Sequence, residues 1–227
     1  MLQLLSGNAL KLLAAFFMTL DHAGLMLFLE YPIFRILGRL ALPIFAFMIA
    51  EGCKYTRNRK KYFGMVFGLG TVCQIVYWFV DHSLYFSILI TFSLSILMVY
   101  TLQTFQKHRN GPSFLLFFAA VAAVWWLNRI FTIDYGFWGC LLPVFPALCH
   151  KTKFDRLPVQ TALLAFGLLL LAADTGSVQY WSLLALPLLL CYSGRRGKGN
   201  LKYFFYIFYP AHLVVLEAIA MALALLR

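Results

Sequence analysis

Asp21 and His22 adjoin in the stretch Lys11-LLAAFFMTL-Asp21-His22-AGLMLFLE, which is otherwise apolar. A charge deep in a bilayer costs several kcal/mol, so an acid and an imidazole here must face a polar interior and mark a candidate site. An imidazole, with a reference pKa of about 6.5, can take the proton that an amine or hydroxyl loses as it attacks a carbonyl. The next apolar stretch carries Arg39 seven residues after Pro32, while His22 lies seven residues before Leu29. At 1.5 Å per residue both sit about 10 Å below the same surface. Helices joined by a short turn are neighbours, so Asp21, His22 and Arg39 are expected in one polar cluster. There the guanidinium would neutralise Asp21, bind an anionic group or stabilise a developing oxyanion.

A second histidine inside an apolar run occurs in Tyr203-FFYIF-Tyr209-Pro210-Ala211-His212-LVVL-Glu217. Tyr206, Tyr209 and His212 recur every three residues, which puts them on one helix face. Tyr209 and His212 are therefore candidates to line a substrate site, although a ring that merely bonds a backbone carbonyl explains His212 equally well.

Membrane helices must position these groups. With 63% hydrophobic and 12% charged residues in a chain of 227, and a mean hydropathy of +0.82, there is too little polar surface to cover a soluble globule. Nine apolar runs can be read as spans, at 9–29, 32–52, 62–80, 84–105, 113–130, 135–150, 158–173, 177–193 and 203–226. The expected architecture is an all-α polytopic helical bundle, a single membrane domain over 1–227.

The net charge of +11 is not spread as a nucleic-acid surface would be. Lys54, Arg57, Arg59, Lys60 and Lys61 fill the second connection, Lys107 and Arg109 the fourth, Lys151, Lys153 and Arg156 the sixth, and Arg195, Arg196, Lys198 and Lys202 the eighth. The odd connections carry Glu30, Asp81, Asp134 and Asp174, with Arg129 as the one nearby cation. This alternation follows the positive-inside rule and expects a cytoplasmic N-terminus, with membrane lipids as partners and no nucleic acid.

Lys54, Tyr55, Arg57, Asn58 and Arg59 are the candidates to receive an anionic cofactor from the cytoplasm, although topology alone demands cations there. Glu51 and Asp134 are further substrate-side candidates, Asp134 also reading as a helix N-cap. Pro43 withholds a helical donor from the Arg39 carbonyl. Cys53, Cys73, Cys140, Cys149 and Cys191 are scattered without metal-ligand spacing, and no metal site is expected.

The blocks LKLLAAFFMTLDHAG (10–24), RILGRLALPIFAFMIAEGCKYTRNRKKY (35–62), DYGFWG (134–139) and YFFYIFYPAHLVVL (203–216) together resemble the TraX family. Leu42 stands where the family usually has an aromatic, and Ser87 where asparagine is common. The family comprises bacterial membrane proteins, the F-pilin N-acetylase among them, distantly related to multi-spanning acyltransferases. The resemblance implies acyl transfer from acetyl-CoA, a co-substrate, to an acceptor protein or surface glycan at the outer face. His22 would then be the general base, aided by Asp21 and Arg39. Two other classes stay open: a proton-coupled transporter or flippase using Asp21, His22 and His212 as a relay, and a non-catalytic assembly partner in conjugation or secretion.

Overall fold

The computed structural model describes residues 4–81 and 85–225, without the side chains of residues 80, 81 and 202. The Asp81 and Lys202 charges thus lie outside the described side chains. The described residues are helical with no strand, as the apolar runs require: a backbone in lipid must satisfy its own hydrogen bonds. Among the described residues, seven helices are long and apolar enough to cross a bilayer: Gly7–Met26, Pro32–Tyr55, Arg59–Phe79, Ile88–His108, Gly111–Ile130, Leu157–Thr175 and Tyr203–Leu225. The chain is a multi-pass membrane protein.

The expected sixth and eighth spans, 135–150 and 177–193, are instead shorter apolar segments, Gly136–Ala147 and Ser177–Leu190. Proline is the reason: Pro143 and Pro146 interrupt one and Pro187 the other, removing donors that a continuous helix needs.

Two compact units make up the chain, Met1–Phe45 with Gly176–Arg227 and Ala46–Thr175. In the first, α1 (Gly7–Met26) is capped by Ser6, whose Oγ accepts from Ala9 N–H at 3.2 Å. Its otherwise orphaned Gly7 and Asn8 N–H groups donate to the Arg195 and Arg196 carbonyls at 2.8 and 2.9 Å. The Asn8 side chain donates to the Lys198 and Gly199 carbonyls. The basic 195–199 loop is thereby fastened to the start of α1.

Helix α2 (Pro32–Gly38) returns beside α1, and two glycines set the approach. A Cβ on Gly24 would lie 2.7 Å from the Phe34 Cβ, and one on Gly38 would collide with the Asp21 side chain. Arg39 and Leu40 form a turn before α3 (Ala41–Tyr55), with Pro43 in the first turn of α3.

The second unit adds α4 (Arg59–Asp81), α5 (Ile88–His108), α6 (Gly111–Ile130), the short α7 (Gly136–Leu141) and α8 (Val144–Ala147), and α9 (Leu157–Thr175). Its core centres on Ile96, Met98, Val99 and Leu102 of α5 with Cys53, Val124, Cys140, Val144 and Ala147. Side chains of α5 supply the broken α7–α8 segment with donors. Thr91 Oγ1 donates to the Asp134 carbonyl at 2.9 Å, Ser95 Oγ to Cys140 at 2.7 Å, and Gln106 Nε2 to Ala147 and Leu148 at 3.1 and 2.9 Å. The segment therefore runs parallel to α5 from Thr91 to Gln106, about 22 Å at 1.5 Å per residue. Short as its helices are, it traverses its unit.

In the first unit, Ser177–Ala185 is a 3₁₀ segment, followed by α10 (Leu186–Leu190), and Lys202–Leu225 forms α11. This stretch leads from Gln179, bonded to Arg39, back to Cys191, whose carbonyl accepts from Leu5 N–H at 3.0 Å.

Candidate functional site

Asp21 and His22, about 100° apart around α1, serve different neighbours. Asp21 faces α2, where Arg35 Nη1 donates to its Oδ2 at 2.8 Å and to its backbone carbonyl at 3.3 Å. Arg39 Nη2 lies 3.5 Å from Oδ1. Arg35 and Arg39 are four residues apart and share a helical face, so two guanidinium groups share one carboxylate. Arg39 also donates through Nη1 to Gln179 Oε1 at 3.3 Å. The other amide atom of Gln179, Nε2, is buried with no hydrogen-bond partner among the described residues.

His22 faces α11. Its Nδ1 lies 3.2 Å from His212 Nε2, and His212 Nδ1 lies 2.9 Å from the Phe208 carbonyl oxygen. A carbonyl only accepts, so His212 carries its proton on Nδ1, and with the ring neutral its Nε2 is an acceptor. His22 must then donate through Nδ1, which leaves the lone pair of a neutral His22 on Nε2. Phe208 stacks on the His212 ring at 5.0 Å and 9°, fixing its plane. The expected backbone bond of His212 and its expected place in a cluster are thus both present. Tyr209 is buried on the same helix, its ring 6.4 Å from that of His212 and 5.7 Å from that of Phe45.

The structure therefore brings together Asp21, His22, Arg39, Tyr209 and His212. It adds Arg35 and Gln179, which sequence reasoning missed. Arg35 had a signal, its spacing of four from Arg39; Gln179 had none.

The remaining candidates belong to the second unit, where most of them have partners. Lys54 Nζ lies 2.8 Å from Asp155 Oδ1 and 3.7 Å from Glu51 Oε1. Arg59 donates to Gln103 Oε1 at 2.9 Å and stacks over Tyr100. Asn58 Oδ1 accepts from Lys61 N–H at 2.9 Å, capping α4, while Tyr55 and Arg57 are exposed. Glu51 is buried 3.8 Å from His150 Nε2. Asp134 accepts from the Tyr85 hydroxyl at 2.6 Å; burial and then this carboxylate raise the Tyr85 phenol pKa.

Burial alone would raise the Asp155 carboxyl, but bonds from Lys54, the Lys151 N–H and Gln160 hold it below its ordinary value. Burial, with the Lys54 ammonium nearby, pushes the His150 imidazole down to about 4.

The sequence profile described as TraX protein matches residues 6–220. Probable fimbrial assembly protein FimC, serogroup H1, of Dichelobacter nodosus is 30% identical over 243 aligned positions, covering 93% of this chain and 94% of its own length. Protein TraX of Escherichia coli is 26% identical over 228 positions, covering 94% and 87% respectively. Uncharacterized protein RP591 of Rickettsia prowazekii (strain Madrid E) is 52% identical over 40 residues, 18% of this chain and 16% of that one. No solved structure matches. With the profile spanning nearly the whole length, the chain belongs to the TraX family.

Proposed function

We propose that this chain is a membrane-embedded acetyltransferase that moves an acyl group from cytoplasmic acetyl-CoA to an amine or hydroxyl near the outer face of a bacterial cytoplasmic membrane. The observation that carries this reading is the His22–His212 hydrogen bond, which leaves the His22 Nε2 lone pair free to accept a proton, one residue along α1 from the Asp21 that two guanidinium groups share. An attacking amine or hydroxyl gives its proton to His22 Nε2 as its heteroatom bonds the thioester carbon. Negative charge then builds on the thioester oxygen. Arg39 and the Gln179 Nε2 donor are the groups suited to meet it. Collapse breaks the carbon–sulfur bond, and the departing thiolate takes the proton from the imidazolium. His212 acts as a positioning residue, holding the His22 ring and its tautomer. Asp21 serves the arginines rather than the imidazole.

Sidedness follows from the charge alternation. It is supported by the bonds that tie the basic 195–199 loop to the start of α1. Family membership, with one relative named for fimbrial assembly and another for TraX, supports a surface-appendage protein as the acceptor.

The His22–His212 bond also fits a proton relay in a transporter, though Asp21 is drawn away from that chain by Arg35 and Arg39. Labelled acetyl-CoA given to purified protein in vesicles separates the two. Acyl transfer predicts release of free CoA and label on the acceptor without a proton gradient; His212→Gln lowers the rate and shifts its pH profile. Gradient-dependent solute flux with intact acetyl-CoA would overturn the reading.

A further inference from the structure

An open cavity of about 600 Å³ lies where the end of α5 meets the start of α9. Arg109, Lys151 and Lys153 line it together with the apolar Leu148, Phe154 and Leu163. No carboxylate lines it. The nearby acid, Asp155, is taken up by Lys54 Nζ, the Lys151 backbone N–H and Gln160 Nε2, at 2.8, 2.8 and 2.7 Å. None of the three cations is in an ion pair among the described residues. Lys153 lies over the Phe154 ring at 5.1 Å, which ties a cationic residue to an apolar one.

The backbone is built to present these groups. Arg109 and Lys151 stand at φ of 48° and 59°, left-handed conformations that side chains other than glycine and asparagine seldom adopt. The loop between α8 and α9 is held by Thr152 Oγ1 to the Cys149 carbonyl at 2.7 Å, and Gln106 anchors Leu148 to α5. Topology asks for cations at this end of the helices, but it does not ask for a cavity from which the neighbouring acid is turned away. Leu163 belongs to the first turns of a membrane-spanning helix, so the cations sit at the level where headgroup and hydrocarbon meet.

We propose that this cavity binds a phosphate-bearing amphiphile, its phosphate between Arg109, Lys151 and Lys153 and its apolar part over Leu148, Phe154 and Leu163. This chemistry is offered by an anionic phospholipid of the leaflet or by a soluble polyphosphate with an apolar tail. The site does not depend on the proposed acyl transfer.

The test uses the full chain in phosphatidylcholine nanodiscs. One arm adds phosphatidylglycerol and counts retained lipid by native mass spectrometry; the other adds pyrophosphate and measures binding by calorimetry. Arg109→Asn and Lys151→Asn keep residues that tolerate the left-handed backbone, and Lys153→Gln completes the variant. The control is Lys60→Gln, Lys61→Gln and Arg195→Gln, which removes equal charge from exposed positions outside the cavity. The cavity variant should lose binding at least about tenfold relative to the control. Loss in the first arm names the lipid, and loss in the second names a soluble phosphate. Equal losses in the two variants, or none in either arm, overturn the proposal.

Discussion

Each unit sets a histidine near acidic and basic side chains, yet the two arrangements do opposite things. Around His150, Glu51 and Asp155 face the Lys54 ammonium, and both ring nitrogens are buried without a hydrogen bond among the described residues. Nothing orients that lone pair, and at 3.8 Å Glu51 is too far to hold a proton on the ring. Around His22 the balance is reversed: two guanidinium groups share Asp21, and a second imidazole fixes the tautomer. Burial alone therefore does not mark a reactive imidazole. A hydrogen-bond partner that fixes the ring's tautomer does.

The contrast is broken most severely by exchanging the two histidines for glutamine in turn. His22→Gln should reduce label transfer from acetyl-CoA by about 10²–10⁴-fold, the usual contribution of a general base. His150→Gln should leave it within a few-fold, and equal losses would erase the distinction.

Asp21→Asn leaves Arg35 and Arg39 facing each other, with only a neutral amide between them. Removing one partner of a buried pair typically costs about 3–5 kcal/mol, measurable by thermal unfolding in detergent. Adding Arg35→Gln should recover part of that loss. Strict additivity would show that the pair is not coupled.

Gly38→Ala should destabilise by up to about 3 kcal/mol, since its methyl group collides with Asp21 and pushes α2 from α1. Activity should fall with it, because Arg39 moves as well. Unchanged stability would mean that the close approach of α1 and α2 is not required.

The smallest effect sharpens the comparison through pH. The folded imidazole of His150 titrates at about 4, below its ordinary value, so the neutral form is favoured by folding. Its stability contribution is present above about pH 6.5 and is lost as pH falls toward 4. Between pH 7 and pH 5 that amounts to about 2 kcal/mol. The drop in melting temperature over this interval should be smaller in His150→Gln than in wild type; an identical drop would assign the sensitivity elsewhere.

Much of this was legible in the sequence because lipid leaves few choices. Polar residues in apolar runs stand out, and measuring depth from the span ends put His22 level with Arg39, whose partner is the adjacent Asp21. The same measurement overlooked Arg35, which lies closer to the surface but reaches Asp21 through a long side chain. The His22–His212 bond joins residues 190 positions apart, and no local pattern reports which helix packs against α1. His150, beside Lys151 and Lys153, carries no local sign that it is buried 3.8 Å from Glu51. The sixth and eighth runs had the composition of spans; their prolines, rather than their hydropathy, determined their form.

The histidine tautomers can be read directly by solid-state NMR of the full chain in bilayers with isotope-labelled histidine. The predicted result is a coupling across the bond from His22 Nδ1–H to His212 Nε2, with His22 Nε2 unprotonated at neutral pH. A proton on His22 Nε2, or no coupling between the two rings, would contradict the assignment of His22 as the base.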